Sequence, residues 1–288
     1  MTGFSLLMSV YAKESPAFLA QCLDSISALT VMPNELVIVK DGPLTEELEA
    51  VLGNYVRAGS IVTPSQQAGN DVSIAPPPVN IISLPENVTQ GPARAEGVLA
   101  AKYDWVAIMD SDDVCRADRF EKQLKMIDDD PELGLIGGQI AEFIEEPGQT
   151  IATRAVPQNH AEIVKFAKKR NPFNSMTVMF KRDIALQAGN YRHFPWFEDY
   201  DLWVRMIKNG AVCANHPGVL ADARIGGGMY GRRRGTSYIN SEWRMQKQLK
   251  ELGMINTAAY LRNIATRIPL RLLPERALKA AYRRFARI

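Results

Sequence analysis

The chain has 288 residues, of which 46% are hydrophobic and 23% are charged, and its formal net charge is +2. This composition is typical of a folded globular protein with a sizeable core, and it excludes a disordered chain. No apolar run approaches the roughly 18 residues that span a bilayer, and the first residues lack the features of a signal peptide. We therefore expect a cytoplasmic protein. The three widely spaced cysteines, Cys22, Cys115 and Cys213, suit a reducing compartment.

The first half of the chain alternates short apolar segments with amphipathic ones. The pattern predicts strands at 4–11, 35–40, 80–84 and 105–109, and helices at 16–29, 45–57 and 91–102. Strands that alternate with helices favour a mainly parallel sheet with helices on both faces, so the sequence predicts an α/β fold. Residues 58–79 are rich in Gly, Ser, Gln and Pro, and we interpret them as a mobile surface loop, either an inert insertion or an acceptor lid.

The second half is less regular. Helices are predicted at 117–129, 197–208 and 237–252, and strands at 133–144 and 176–181. Residues 226–235 have the sequence GGGMYGRRRG, which predicts a basic, glycine-rich loop. The arginines of this loop, Arg232, Arg233 and Arg234, form either a solvated charge run or a group that folds over a diphosphate, because guanidinium groups match phosphate oxygens.

An acidic motif follows the strand predicted at 105–109, and its residues are Asp110, Ser111, Asp112 and Asp113. Ligands of open parallel sheets bind at the carboxyl ends of strands. If the strand continues, its two-residue period places Asp110 and Asp112 on one side, where two carboxylates suit Mg²⁺ or Mn²⁺. The alternative is a solvated acidic turn that caps the next helix. His216 is either a further metal ligand or a structural histidine.

Two further segments follow predicted strands. Asp41 ends the second strand, where its carboxylate would hydrogen-bond a base or ribose, or would simply form a turn with Gly42. Residues 87–94 lead into a helix whose N-terminal N–H groups suit a phosphate. Arg94 would either reach that phosphate or anchor the acidic motif.

A second acidic group, Glu198, Asp199 and Asp201, begins the helix predicted at 197–208, directly after Trp196 and Phe197. Acids in a first turn are stabilised by the helix dipole, which is the simplest interpretation. Asp201 lies four residues before Arg205, and this spacing favours a structural ion pair. A carboxylate beside an aromatic wall is also suited to act as a general base for a hydroxyl group.

The chain ends with a basic amphipathic pattern. Residues 262–288 contain eight Lys or Arg residues and one acid, so the remainder of the chain is net negative. At about 100° per residue, the apolar side chains of 277–288 share one helix face and the basic side chains share the other. This pattern predicts a helix that lies on an anionic membrane surface or, alternatively, one that docks on the protein's own core.

Together these motifs resemble those of the family-2 glycosyltransferases with the GT-A fold, especially bacterial enzymes that build exopolysaccharide, O-antigen or capsule. The resemblance covers nearly the whole chain, and the segments that carry it are SVY, VKDG, NVTQGPARAEG, MDSDD, NPFNSMTVMF, FEDYDLW and RIGGGMYGRRRG. It implies a Rossmann-like, mainly parallel sheet flanked by helices. The catalytic domain would be 1–256, with a nucleotide-binding half at 1–115 and an acceptor-binding half at 116–256. Residues 257–288 would be a membrane-associating helical appendage.

The resemblance also implies roles for individual residues. The nucleotide-binding residues would be Ser9, Val10, Tyr11, Asp41, Arg94, Asp110, Ser111 and Asp112. Asp41 would contact the base, and Asp110 and Asp112 would hold the divalent metal, Mn²⁺ or Mg²⁺. Asp199 would be the catalytic base, with Glu198 and Trp196 orienting the acceptor.

The predicted reaction is an inverting transfer of one sugar from a nucleoside-diphosphate sugar, a UDP-sugar, to a hydroxyl of a lipid-linked glycan. We expect the protein to act at the inner face of the cytoplasmic membrane through its basic C-terminal helix, without a nucleic-acid partner. A nucleotidyltransferase would carry a Gly- and Arg-rich loop after the first strand, and a dinucleotide-dependent oxidoreductase would carry G-x-G-x-x-G there. Both motifs are absent. A catalytically inactive, membrane-bound interaction protein would not need both acidic groups.

Overall fold

The computed structural model describes residues 2–59, 77–226 and 235–272. The strands are β1 (Phe4–Tyr11), β2 (Glu35–Asp41), β3 (Val79–Ser83), β4 (Trp105–Asp110), β5 (Val114–Cys115), β6 (Leu133–Phe143), β7 (Ala152–Arg154), β8 (Met179–Lys181) and β9 (Val212–Arg224). The helices are α1 (Pro16–Ser27), α2 (Glu46–Gly59), α3 (Gln90–Ala100), α4 (Arg119–Asp129), α5 (His160–Ala167), α6 (Arg182–Gln187), α7 (Glu198–Lys208), α8 (Gly235–Glu251) and α9 (Thr257–Leu272).

The strands form one sheet in the order β3-β2-β1-β4-β8-β6-β9-β5, with β7 paired to β6. β1 to β4 are parallel, as predicted from their alternation with helices. β8 is antiparallel to both β4 and β6, and β9 is parallel to β6. The six longer strands therefore share one direction, and only the short strands β5, β7 and β8 are reversed among the described residues. The α/β prediction is confirmed, and the sheet is mixed.

Helices cover both faces of the sheet. Alternate residues of β1 point to opposite faces. Leu7 belongs to the core cluster that includes residues of α3, α5 and α7, while Leu6 and Met8 belong to the cluster that includes residues of α1, α2 and α4. All three side chains are fully buried. Each such side chain contributes roughly 1.5–3 kcal/mol of hydrophobic stabilisation, and this two-sided burial fixes the register of the strands.

The sequence pattern misses several elements of the second half, most notably β9. This strand of 13 residues contains Pro217 and Gly218, and the register with β6 shifts between Gly138 and Gln139. The bulge interrupts the two-residue alternation that identifies a strand. Helices α5 and α6 and the short β5 and β7 are also missed, and a 3₁₀ turn replaces the start of the strand predicted at 176–181.

The C-terminal helix α9 packs against α8 through a buried polar network. Glu242 is 1% exposed and accepts hydrogen bonds from Gln246 Nε2 and Arg267 Nη1, each at 3.1 Å. Asn263 Nδ2 donates to Gln246 Oε1 at 2.9 Å. Residues 257–272 are therefore docked on the rest of the protein. The amphipathic pattern at 277–288, which predicts either a membrane-bound or a docked helix, lies outside the described part of the chain. None of the described helices is both long and apolar enough to cross a membrane.

Candidate active site

The carboxyl ends of three parallel strands, β2, β1 and β4, lie side by side in the sheet. In the register of β1 with β2, Tyr11 lies opposite Asp41, and in the register of β1 with β4, Ser9 lies opposite Asp110. The strand order reverses here, because β1 lies between β2 and β4. Ligands of such sheets bind in the crevice outside the carboxyl ends of these strands. The structure thus brings together most of the predicted nucleotide-binding residues, namely Ser9, Val10, Tyr11, Asp41, Asp110 and Ser111.

Asp41 fixes the segment that precedes α3. Its Oδ1 accepts a hydrogen bond from the Val88 N–H at 2.7 Å, and its Oδ2 accepts one from Asn87 Nδ2 at 3.0 Å. Burial raises the pKa of this carboxyl group, and the N–H groups of Val88 and Thr89 oppose the rise. Gly42 adopts a φ of 83°, and a Cβ atom there would lie 2.8 Å from the Asn87 nitrogen. The Asp-Gly turn therefore has a structural role in addition to its place at the crevice.

The acidic motif begins at the last residue of β4 and continues as a turn. The strand ends at Asp110, so strand alternation does not place Asp112, contrary to the premise of the prediction. Asp113 is 3% exposed, and its Oδ1 accepts a hydrogen bond from the Arg224 N–H at 2.7 Å. Ser111 Oγ donates to Glu14 Oε2 at 2.6 Å. The capping alternative is not realised, because the N-cap residue of α4, Asp118, makes no side-chain capping bond.

Arg224, at the end of β9, holds this turn, a role that the sequence pattern does not predict. Its Nε donates to the Asp112 carbonyl at 3.1 Å, and another guanidinium nitrogen contacts Gln21 Oε1. The guanidinium carbon lies 3.9 Å from the Phe18 ring centroid and 4.5 Å from that of Phe143. Arg224 thus joins α1, β6 and β9 to the acidic turn. The only sequence signal was its position before the glycine-rich loop.

The acidic turn concentrates negative charge. Burial raises the pKa of Asp110 to about 6, with Asp112 and Asp199 adding to the rise and Arg94 opposing it. Burial, and then the charges of Asp112 and Asp110, also raise the pKa of Asp113 well above its usual range. A divalent cation would relieve this repulsion. Within residues 2–59, 77–226 and 235–272, no three His, Cys, Asp or Glu side chains form a complete metal site. Two carboxylates completed by substrate phosphates are nevertheless a common way to hold Mg²⁺.

Arg94 connects the acidic motif to the acids of α7. It is 1% exposed, its Nη1 donates to Asp199 Oδ1 at 2.6 Å, and its Nη2 donates to Asp110 Oδ1. The guanidinium carbon also lies 5.9 Å from the Tyr191 ring centroid. Of the two predicted roles for Arg94, the structure shows the anchor. Asp110, the last residue of β4, and Asp199, the predicted catalytic base, therefore share one buried guanidinium group.

Glu198 lies in the same network. With the Gln90 amide nitrogen facing Glu198, that nitrogen donates to Oε1 at 2.8 Å and the amide oxygen accepts from Arg94 Nη2 at 2.8 Å. Burial, followed by the charge of Asp199, raises the pKa of Glu198 to about 7. Gln90 was not predicted from the sequence, since a polar residue at a helix start is common.

The backbone beside these acids is tightly constrained. Thr89 and Trp196 adopt φ values of 76° and 74°, which residues other than glycine rarely do. A Cβ atom at Gly91 would collide with the Arg192 carbonyl, so glycine lets α3 approach the segment before α7. Trp196 remains 47% exposed, with its ring centroid 6.0 Å from that of Tyr238. Non-glycine outliers of this kind cluster at ligand sites.

The remaining predicted residues separate from this cluster. Asp201 forms the expected ion pair with Arg205, at 2.6 Å, and is 1% exposed. His216 lies six residues before Asp222 on β9, while Asp222 pairs with Val114 just after the acidic turn. At about 3.3 Å per residue, His216 is too far along the strand to join Asp110 and Asp112, so its prediction as a metal ligand is not supported. Arg232, Arg233 and Arg234 lie outside the described residues, as does most of the predicted loop 58–79.

Comparison with known sequences gives the family. The sequence profile described as "Glycosyl transferase family 2" matches residues 5–187. The chain belongs to this family. It is 40% identical to an uncharacterized glycosyltransferase of Haemophilus influenzae over 99% of both chains. It is 35% identical to the amylovoran biosynthesis glycosyltransferase AmsE of Erwinia amylovora over 97% of both. It is 33% identical to the UDP-Gal:alpha-D-GlcNAc-diphosphoundecaprenol beta-1,3-galactosyltransferase of Escherichia coli, covering 94% of this chain and 92% of that one.

Solved structures agree on the fold. The mannosyltransferase PcManGT of Pyrobaculum calidifontis, in complex with GDP-Man and Mn²⁺, superposes with a TM-score of 0.62 at 13% identity, covering 98% of this chain and 75% of that one. TarS of S. aureus, in complex with UDP-GlcNAc, gives a TM-score of 0.60 at 14% identity, covering 94% and 72%. The protein is a glycosyltransferase with the GT-A fold, and its relatives include enzymes of polysaccharide biosynthesis. This excludes the nucleotidyltransferase and the oxidoreductase.

Proposed function

We propose that this glycosyltransferase moves one sugar from a UDP-sugar to a hydroxyl of a lipid-linked glycan, with inversion at the anomeric carbon. The observation that carries the proposal is the double ion pair of Arg94, which sets Asp199 beside the strand ends that carry Asp41 and Asp110. Asp199 and Asp110 bind the same guanidinium group, so the general base and the nucleotide-binding crevice lie close enough to act on the same sugar.

In the proposed reaction Asp199 acts as general base. Its carboxylate accepts the proton of the acceptor hydroxyl while the hydroxyl oxygen attacks the anomeric carbon. The bond between that carbon and the diphosphate oxygen breaks on the opposite face, and this single displacement inverts the configuration. Asp110 and Asp112 would hold a divalent cation, Mn²⁺ or Mg²⁺, which supplies charge stabilisation for the departing diphosphate. Arg94 fixes the direction of the Asp199 carboxylate before the acceptor arrives.

The donor and acceptor assignments rest on relatives and on the crevice. The Escherichia coli relative is named for UDP-Gal and for a diphosphoundecaprenol-linked acceptor. TarS carries UDP-GlcNAc and PcManGT carries GDP-Man with Mn²⁺, so the GT-A fold accommodates more than one base. Exposed Trp196 beside Glu198 offers a stacking surface for an acceptor sugar. A lipid-linked acceptor and the basic residues after 262 together support action at the inner face of the cytoplasmic membrane, with residues 1–115 binding the nucleotide.

The test is calorimetric titration with UDP, GDP and CMP, each with and without Mn²⁺. We expect one nucleotide, UDP, to bind only with the metal, and Asp112→Ala to abolish binding. Asp118→Ala is the matched control, because its half-exposed carboxylate on the next helix pairs with Lys122 instead. Asp199→Asn should bind the nucleotide normally but lose roughly 10²- to 10⁴-fold in transfer rate. If no nucleotide binds under either condition, the proposed function is wrong.

A further inference from the structure

Exposed cations from two distant parts of the chain meet at the junction of α5 with α9. Lys165 lies in α5, and the turn that follows this helix carries three more cations, while α9 contributes Arg262. All five side chains are exposed, and we call this group the cationic junction: Lys165, Lys168, Lys169, Arg170 and Arg262. The separation between the two segments in sequence means that only the fold brings their charges together.

Side chains of α9 fix the junction by binding free carbonyl groups at the end of α5. Asn263 Nδ2 donates to the Lys168 carbonyl at 3.5 Å, and Arg267 Nη2 donates to the Lys169 carbonyl. Arg267 is itself held by the buried carboxylate of Glu242 at 3.1 Å. The position of the junction therefore depends on a buried network and not on flexible surface contacts.

The cations of the junction have no ion-pair partner among the described residues. The lysines of α4 on the opposite face of the sheet behave differently, because Lys122 pairs with Asp118 and Lys125 pairs with Asp129, each four residues away. One acid, Glu162, lies with Lys165 and Lys169 around a cavity of about 300 Å³. A cluster with this excess of unpaired positive charge favours binding to a polyanionic surface.

An apolar stripe lies beside the junction. Ala258, Leu261 and Ala265 are exposed on the outer side of α9, and the Leu261 side chain is 60% exposed. The chain beyond α9 continues with five Lys or Arg residues and one Glu between 273 and 288. Unpaired cations next to exposed apolar side chains are the features of a segment that lies at a lipid interface.

We propose that the cationic junction docks on an anionic phospholipid surface, with phosphate groups contacting its lysines and Leu261 entering the headgroup region. The proposal deepens the proposed function, on which its membrane setting rests, by adding a folded contact to the basic C-terminal residues. The junction is one hydrogen bond from the catalytic helix, because Tyr200 Oη donates to the Ala167 carbonyl at the end of α5. Docking there would place α7, the helix that carries Asp199, close to the membrane that holds the acceptor.

The test uses the full chain and sedimentation with vesicles of phosphatidylcholine mixed with phosphatidylglycerol, or of phosphatidylcholine alone. The variant Lys168→Gln/Lys169→Gln is compared with Lys122→Gln/Lys125→Gln, which removes the same charge from α4. Each lysine near an anionic surface changes binding about fivefold, so the junction pair should lose roughly 25-fold in partition coefficient. The partition coefficient of the α4 control variant should fall less than about threefold. Vesicles of phosphatidylcholine alone should bind neither variant. Thermal melting verifies that both variants are folded.

Equal losses from the two pairs would show that only net charge matters and would overturn the proposal. Displacement by inorganic phosphate, but not by chloride of equal ionic strength, would also overturn it in favour of a site for a soluble anion. Transfer to a detergent-solubilised acceptor should be unchanged in the junction variant. Sugar transfer without vesicle binding by the wild type would overturn the docking proposal alone. Junction-dependent binding without sugar transfer would leave docking intact and contradict the proposed function.

Discussion

Replacing Arg94 with methionine tests whether one guanidinium group holds the site together. Methionine keeps much of the side-chain volume but removes both ion pairs, leaving Asp110, Asp199 and Glu198 without their shared cation. Removing one partner of a buried ion pair costs about 3–5 kcal/mol. The Asp110 and Asp199 side chains keep 22% and 17% exposure, so water recovers part of that cost. We therefore expect the free energy of unfolding to fall by about 3 kcal/mol, the lower end of the range.

Urea unfolding of single and double variants measures this effect. Adding Asp199→Asn to Arg94→Met should restore part of the lost unfolding free energy. The coupling energy between the two substitutions should be about 1–2 kcal/mol, because the effects of substitutions at contacting residues are not additive. The destabilisation should be larger at pH 8 than at pH 5, since protonated carboxyl groups no longer repel one another. Arg205→Met is the control, because Arg205 pairs with Asp201 outside the site. A loss below about 1 kcal/mol, or equal rescue of both arginine variants by Asp199→Asn, would refute the reasoning.

Two further variants test the pKa of Glu198 and the strain at Gly42. Because burial raises the pKa of Glu198 from 4.5 to about 7, the folded state binds this proton more tightly than the unfolded state does. Glu198 should account for up to about 3 kcal/mol of the unfolding free energy that the wild type loses as pH rises from 4.5 to 7. Glu198→Gln should remove this share in urea titrations and leave the smaller pH dependence that comes from Asp110 and Asp113. A difference between wild type and variant that does not change with pH would contradict the prediction. Gly42→Ala should destabilise more than Gly148→Ala in thermal melting. Both glycines have positive φ, but only at Gly42 would the new Cβ approach the Asn87 nitrogen, at 2.8 Å. Equal shifts in melting temperature would exclude that contact.

The elements that form the crevice are the ones that sequence patterns predict best. β1, β2 and β4 are short, mostly apolar segments, and β2 and β4 end at Asp41 and Asp110. Parallel pairing on either side of β1 is therefore enough to predict that these two carboxylates lie at the same end of the sheet. The prediction for Asp112 fails in its premise, because alternation is lost once a strand becomes a turn. The ion pair of Asp201 with Arg205 was predictable because both residues lie on one helix.

Contacts between segments far apart in the chain were beyond sequence reasoning. Arg94 and Asp199 are separated by 105 positions, and Arg224 and Asp113 by 111. No local period reports such pairs, and in both cases an arginine takes a place that only the folded sheet defines. β9 was missed for a related reason, since Pro217 and Gly218 break the alternation of a strand that is held by its partner β6.

The position of β8 constrains how the protein assembles. β8 lies between β4 and β6, although the chain reaches β6 some 40 residues before it reaches β8. During synthesis, the edge of β4 that faces away from β1 must therefore lack its native partner until residue 181 has emerged. Unpaired strand edges invite association with other chains, and pairings across long sequence separations form slowly. The sheet of residues 1–115 is thus completed by a strand that comes from residues 116–256.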